Sequence, residues 1–317
     1  MRDLFETRSL KPMLIGASAD AFDSRDYIYE LKMDGERCVA YLDPDAGLTE
    51  LRNKRDLKML PKVPELAEMY KQVQKKCILD GELMMMVNGR PDYSAIQRRS
   101  LMSNKFKIEL EAKRFPASFV AFDLIYYEGE AVMDRPLLER KELLAQNLKE
   151  NERVALSRFI EEKGVEFFRL AKENHLEGIV AKLKDSIYIP GKRTKDWIKM
   201  KNLLDDDFVV CGWIDKSDHV SSLVLGQFLD GDLIYQGHVT LGVSGPDFAR
   251  IRQMERLSEP PRGMKVPKGN EEACWIDPEL VCVVKYMERT ASGGLRQPVF
   301  KGLRMDKKPE ECKLENR

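Results

Sequence analysis

The sequence predicts an α+β chain of two domains: a mixed domain of strands and helices over 1–203, then a small closed β-barrel over 204–317. Three observations carry this. Over the first two-thirds, segments rich in β-branched, aromatic and Met residues alternate with segments of helical spacing. After Asn202, short strands separated by turn signals take over. And 317 residues are too many for one small core.

In chain order, Tyr27 to Leu31, Arg37 to Leu42, Cys77 to Val87 and Phe119 to Tyr127 read as strands. Pro64 to Lys75 and Pro136 to Glu150 carry helical spacing, the second through Leu137, Leu138, Leu143, Leu144 and Leu148. Val165 to Asn174 reads as an amphipathic helix and Gly178 to Lys182 as a short strand after it. The Met84, Met85, Met86 run reads as core filler, because Met packs irregular gaps. Asp205, Asp206 and Asp207 read as an acidic joint. Phe208 to Trp213, Leu223 to Leu229, Leu233 to Val239 and Leu280 to Met287 follow as strands. Turn signals such as Asp230-Gly231-Asp232 separate them, and one helix, Pro246 to Leu257, interrupts them. About five strands and one helix in this length suit a barrel of the OB kind.

Composition excludes several classes. Hydrophobic residues make up 43% and charged residues 33%, enough to bury a core and to stay soluble. No apolar run reaches the ~18 residues of a membrane span. The start, Met1 to Glu6, lacks the apolar stretch of a signal peptide, so a cytoplasmic protein is expected. Cys38, Cys77, Cys211, Cys274, Cys282 and Cys312 form no close pair of the kind zinc ribbons use, and read as free thiols. With only His175, His219 and His238 besides, no structural metal cluster is expected. No Gly-x-x-x-x-Gly-Lys-Ser/Thr loop is present, so nucleotide chemistry here does not use a P-loop. Lys+Arg and Asp+Glu are both 53, a net charge of zero, which excludes indiscriminate coating of nucleic acid.

Several stretches carry chemistry. In Glu30 to Arg37, Lys32 stands two residues before Asp34-Gly35 at the end of a strand, beside a turn that can be closely approached. A lysine becomes a nucleophile when burial or neighbouring cations lower its pKa. Asp80-Gly81-Glu82 and Glu177-Gly178 place carboxylates at strand edges, suited to a hard cation that shares its shell with phosphates. In Trp197 to Lys201, period-2 alternation puts Lys199 and Lys201 on one face, where something anionic would satisfy them.

In this order and spacing the segments resemble the nucleotidyltransferase motifs of ATP-dependent DNA ligases. Lys32-Met33-Asp34-Gly35-Glu36-Arg37 resembles motif I, Asp80-Gly81-Glu82 motif III and Phe119-Val120-Ala121-Phe122-Asp123 motif IIIa. Glu177-Gly178 with Lys182 resembles motif IV, Trp197 to Lys201 motif V, and Leu295 to Lys307 motif VI. Tyr188 to Thr194 is similar to the stretch before motif V in the ligase part of bacterial end-joining enzymes. Motif Ia departs from the usual Ser-Arg-Asn-Gly: Glu50-Leu51-Arg52-Asn53-Lys54-Arg55 keeps Arg-Asn, replaces the Ser and adds positive charge. The resemblance covers about Lys11 to Cys312.

The resemblance implies an adenylation (nucleotidyltransferase) domain of antiparallel sheets with flanking helices, followed by an OB-fold. It implies ATP as substrate, Mg²⁺ or Mn²⁺ as cofactor, and a nick in double-stranded DNA as the partner of a monomeric two-domain enzyme. Lys32 would attack the α-phosphate and hold AMP, with Asp34 beside it, and Lys199 and Lys201 would neutralise that phosphate. Glu82 and Glu177 would hold the metal, with Glu82 also near the ribose; Phe122 would stack on adenine, and Glu30 would read its amino group. Lys182 would belong to the nucleotide site, Arg37 and Arg52 would contact phosphates, and Arg304, Asp306 and Lys307 would close over the pyrophosphate. DNA repair, replication or recombination is the implied setting, and an end-binding or clamp partner is compatible with it. Two readings compete within the superfamily: an mRNA capping guanylyltransferase and an RNA ligase. Glu30 and the Arg304-x-Asp-Lys ending favour the DNA ligase. A third reading, a non-catalytic OB-fold nucleic-acid binder, assigns Lys32 no role.

Net neutrality hides basic stretches. Residues 182–201 and 285–308 each carry seven basic against two acidic residues, and 98–114 carries six against two. These are the expected places for phosphate.

Overall fold

A computed structural model describes residues 3–87, 89–215, 221–290 and 293–314. The chain divides into two compact units, Met1–Asn202 and Leu203–Arg317.

The first unit is built on two sheets. One runs Leu14–Ser18, Arg193–Lys201, Gly178–Leu183, Tyr27–Leu31, Phe159–Glu161. The other runs Leu48–Asn53, Glu36–Asp43, Cys77–Val87, Ala117–Tyr127, Glu130–Ala131, with Arg90–Pro91 and Val154–Leu156 paired at its sides. Pairing is antiparallel except for Leu14–Ser18 on Arg193–Lys201 and Val154–Leu156 on Ala117–Tyr127. Side chains alternate across each strand, so the two faces of one strand enter different cores. Cys38, Ala40 and Leu42 face a core shared with Leu66, Ile96 and Leu144. Val39 and Tyr41 face the opposite way, into a core between the sheets with Phe122, Val180 and Trp197. On the far side of the first sheet, Tyr29, Ile179, Ala181 and Met200 pack with Ala171 and Phe167 of the helix Gly164–Glu173.

The strands expected from residue chemistry are present, and the helix over Leu137–Asn147 lies inside the expected span. Three differences stand out. Pro64 to Lys75 is not an α-helix but two 3₁₀ turns, Pro64–Leu66 and Met69–Gln72, which still bury Leu66 and Met69. Three helices were not expected: Leu4–Thr7, capped by Asp3, and Tyr93–Leu101 and Lys105–Arg114, capped by Asp92 and Asn104. The helix predicted over Pro246 to Leu257 ends at Ile251, and Arg256–Leu257 pairs as a strand with Trp275 and Ile276.

In the second unit the strands run Asp232–Val239, Ser221–Leu229, Leu204–Asp215, Cys274–Tyr286, and the last of these also pairs Val299–Arg304. Phe300 N donates to Leu241 O at 2.8 Å, joining the final strand back to the end of the Ser221–Val239 hairpin. Phe208, Val210, Leu225, Cys282 and Phe300 form its core, closed by Ile251 of the helix Gly245–Ile251. Asp205 to Asp207, expected as a joint, form the opening of the twelve-residue strand Leu204–Asp215. All six cysteines are free, and burial pushes the thiols of Cys38, Cys77, Cys211 and Cys282 up, away from reactivity.

Candidate active site

Register assembles the site. Gly178–Leu183 lies between Tyr27–Leu31 and Arg193–Lys201, so Glu30, Val180 and Lys199 stand in one row across three strands, and Gly178 faces Lys201. Lys32 leaves the end of its strand with its backbone N–H donated to Gly178 O at 2.9 Å. Its ammonium lies 2.8 Å from Glu177 Oε1, and that of Lys201 lies 3.6 Å from the same oxygen. Glu177 is nearly buried, its side chain 4% exposed. Burial, with Lys32 and Lys199 close by, lowers the pKa of Lys201 although Glu177 opposes it. Gly178 makes this convergence feasible: its φ is +134°, and a Cβ there would sit 2.0 Å from Met200 O.

The second sheet supplies the opposite wall. Arg37 and Glu82 are cross-strand partners, and Glu82 faces Val120 on the next strand. A cavity between the sheets is lined by Glu30, Lys32, Arg37, Glu82, Phe122 and Lys182, with Ile15, Leu31, Met33, Val180 and Trp197. The carboxyl of Glu82 is pushed up to about 8, first by burial and then by Asp80 and Glu177, against the pull of Arg37 and Lys32. Asp34 lies in the connection from Lys32 to Gly35 that carries the chain from one sheet to the other.

Not every expected residue reaches the cavity free-handed. Glu30 is buried in an ionic cluster: its oxygens take Lys141 Nζ at 2.6 Å, Lys182 Nζ at 3.0 Å and Ser157 Oγ at 2.8 Å. Burial alone would raise its pKa, but the two ammonium groups outweigh it and hold Glu30 below the ordinary carboxylate range. Lys182 is pushed down to about 8 by burial, and its Nζ lies 4.3 Å from the Phe122 ring centre and 4.4 Å from that of Trp197. Arg37 forks onto Asp80, at 2.6 and 2.5 Å, and lies over Phe122 at 4.5 Å. Asp80 also accepts from Tyr188 Oη at 2.5 Å. Arg52 is clamped by Glu50 at 2.6 Å and Asp56 at 3.1 Å, and does not line the cavity.

In the second unit, Asp207 takes Arg304 Nη1 at 3.1 Å and Lys307 Nζ at 2.5 Å, while Arg304 also pairs with Asp306 at 2.6 Å. Arg304, Asp306 and Lys307 thus form one charged cluster around Asp207. Lys141 and Ser157 had no signal in the sequence, and Tyr188 stood in a recognised stretch with no role assigned to it. They contact Glu30 and Asp80 only through the tertiary fold, and a lysine in a leucine-rich helix reads as solvated.

The donor set fits a triphosphate and a hard cation. Lys32, Arg37 and Lys182 bring positive charge to the lining beside Glu30 and Glu82, and Glu177 joins them through its ion pair with Lys32, with Lys201 and Lys199 close to that pair. Among the described residues no group of three or more His, Cys, Asp or Glu could hold a metal. An ion here therefore needs phosphate or water oxygens to complete its shell, as Mg²⁺ does.

The sequence profile of the ATP dependent DNA ligase domain matches residues 12–201, and that of the ATP dependent DNA ligase C terminal region matches 216–307. The chain belongs to the ATP-dependent DNA ligase family. It is 29% identical to the multifunctional non-homologous end joining protein LigD of Mycobacterium bovis, over 97% of this chain and 40% of that one. It is 30% identical to a DNA ligase of Thermococcus fumicolans, over 96% of this chain and 57% of that one. The solved mycobacterial DNA ligase D complexed with ATP and MES matches with a TM-score of 0.56 at 28% identity, over 97% of this chain and 99% of that one. The chain thus spans about two-fifths of the mycobacterial relative and under three-fifths of the archaeal one.

Proposed function

We propose that the chain seals 5′-phosphate/3′-hydroxyl nicks in duplex DNA, using ATP, through a lysyl-AMP on Lys32 and then a DNA-adenylate. The observation that carries this is the meeting of Lys32, Lys201 and Glu177 at the end of one sheet, opposite Glu82 on the other. Lys32 Nζ must shed a proton before it attacks, and Glu177 Oε1, 2.8 Å away, is the base within reach. An N–P bond to the α-phosphate then forms as the bond to the β-phosphate oxygen breaks and pyrophosphate leaves. The 5′-phosphate of the nick next takes the AMP from Lys32, and the 3′-hydroxyl displaces it to close the strand. Lys199 and Lys201 neutralise the α-phosphate, where positive charge fixed in a partly buried site is most effective. Mg²⁺ or Mn²⁺ on Glu82 and Glu177 would add charge neutralisation at the same phosphate. Glu30 and Phe122 would set the base: a carboxylate accepts from the 6-amino group of adenine and repels the 6-oxo group of guanine.

The ring of strands in the second unit is read as an OB-fold, with Arg304, Asp306 and Lys307 acting on the departing pyrophosphate. The enzyme works as a monomer in the cytoplasm, and end joining is the setting favoured by the name of the mycobacterial relative.

The test is a nick-sealing assay with Mg²⁺. Sealing of a nicked DNA duplex with ATP, and its loss in Lys32→Ala, is the expected outcome. Labelling from GTP alone would indicate a guanylyltransferase, and sealing confined to nicked RNA would indicate an RNA ligase.

A further inference from the structure

The helix pair Tyr93–Leu101 and Lys105–Arg114 carries an exposed apolar ridge. In Lys105–Arg114, Ile108 faces inward and is buried. Phe106 and Leu110, one turn apart, hold the outermost face and are 74% and 46% exposed. Lys107, Lys113 and Arg114 are exposed on either side of this ridge. A surface helix ordinarily turns its apolar stripe inward. This one has a second, outward stripe with Lys107, Lys113 and Arg114 beside it and with the exposed Glu109, paired to Lys105 at 3.9 Å, on the same helix, the pattern of an interaction surface.

Its position ties it to the nucleophile. Ser100 Oγ, in the preceding helix Tyr93–Leu101, donates to Glu36, and Glu36 also accepts from Asn53 Nδ2 at 2.8 Å. Glu36 opens the strand that directly follows Lys32–Gly35. Lys62 Nζ donates to Met102 O and so fixes the turn between the helices. The preceding helix is therefore tied to the segment that leaves Lys32, and the ridge helix follows it in the chain and packs on Pro64–Leu66.

We propose that Phe106 and Leu110 lie in the minor groove of the duplex flanking the nick, with Lys107, Lys113 and Arg114 on its phosphates. The inference rests on the nick-sealing reading above. Charge complementarity selects a polyanion, and the apolar centre selects a groove rather than phosphate alone. Proteins that bind the minor groove set apolar side chains such as Phe and Leu against the bases and cations on the backbone. An acidic protein would match the charges too, and the experiment separates it.

Binding of a fluorescent nicked duplex is measured without ATP or metal, across a salt series, for the whole chain. The variants are Phe106→Ser/Leu110→Ser and Lys107→Glu/Lys113→Glu, each checked for an unchanged unfolding midpoint. The apolar variant should bind about tenfold more weakly, a loss of the size two exposed apolar side chains supply. The charge variant should also flatten the salt dependence, by about 0.9 in the log–log slope for each phosphate no longer neutralised. Both should form the AMP adduct at the wild-type rate, since neither touches the cavity. Unchanged nick affinity in both variants, the result an acidic protein partner would give, overturns the proposal. Weakening confined to the charge variant overturns the groove contact. Wild-type protein that binds nicks but forms no adduct refutes the sealing chemistry and leaves the binding surface standing.

Discussion

Asp123 and Arg140 are both fully buried and meet in a two-pronged contact at 2.8 and 2.9 Å. Arg140 Nη1 donates to the carbonyls of Arg135 and Ser186. A buried pair so completely satisfied matters most when one member is removed, because the survivor is an uncompensated charge. Arg140→Met is expected to destabilise the first unit by about 3–5 kcal/mol, measured by urea denaturation. A loss under about 1 kcal/mol would show that Asp123 finds another partner or a proton. Asp123 directly follows Phe122, so the same change should weaken ATP binding. At this scale the sequence was only partly legible. Lys32, Glu82, Glu177, Lys199 and Lys201 stand out by motif order, since the chemistry fixes their types and spacing. Lys141 and Arg140 are invisible, and the role of Tyr188 is too, because each acts on a partner that only tertiary folding brings near. Asp80 shows the same divide: it belongs to a readable motif, yet its work is to hold Arg37 and Tyr188.

At the scale of elements, glycine illustrates how motif and geometry differ. The sequence suggests that Gly35 and Gly178 permit close approach, the first of them to a phosphate. The structure shows that they admit a neighbouring strand: a Cβ on Gly35 would lie 2.2 Å from Leu83 O, and one on Gly178 would lie 2.0 Å from Met200 O. Gly178→Ala is strained twice over, by that clash and by a φ of +134°. It should lower the unfolding midpoint and slow adduct formation, because it pries Glu177 away from Lys201. A variant with wild-type values for both would mean that the strands can part without harm. Strands were legible because their faces alternate between two cores. The 3₁₀ turns at Pro64–Leu66 and Met69–Gln72 passed for a helix because Leu66, Met69 and Val73 recur at helical spacing. Lys105–Arg114 was missed for the opposite reason: Phe106 and Leu110 point outward, so no single inward stripe announces it.

At the scale of the whole molecule, the zero net charge conceals two kinds of basic stretch. Along 285–308, Arg289 is paired with Asp206, and Arg304 and Lys307 with Asp207, so much of that charge is answered within its own unit. Along 182–201, Lys182 faces Glu30 and Lys201 faces Glu177. These cations are answered within their own unit, whereas Lys192, Arg193, Lys195, Lys301 and Lys308 in the same stretches are exposed. In 98–114 Arg99 is buried against Glu65, but Lys107, Lys113 and Arg114 remain exposed. The two units keep separate cores, and the cavity around Lys32 lies wholly within the first. The central claim is that Lys32 carries AMP. Incubation with α-labelled ATP and Mg²⁺, followed by denaturation and mass spectrometry of the proteolytic peptides, tests it most directly. An AMP adduct on Lys32, absent from a Lys32→Ala protein of unchanged unfolding midpoint, is the predicted result. An adduct on another residue, or one that persists in Lys32→Ala, would contradict the account.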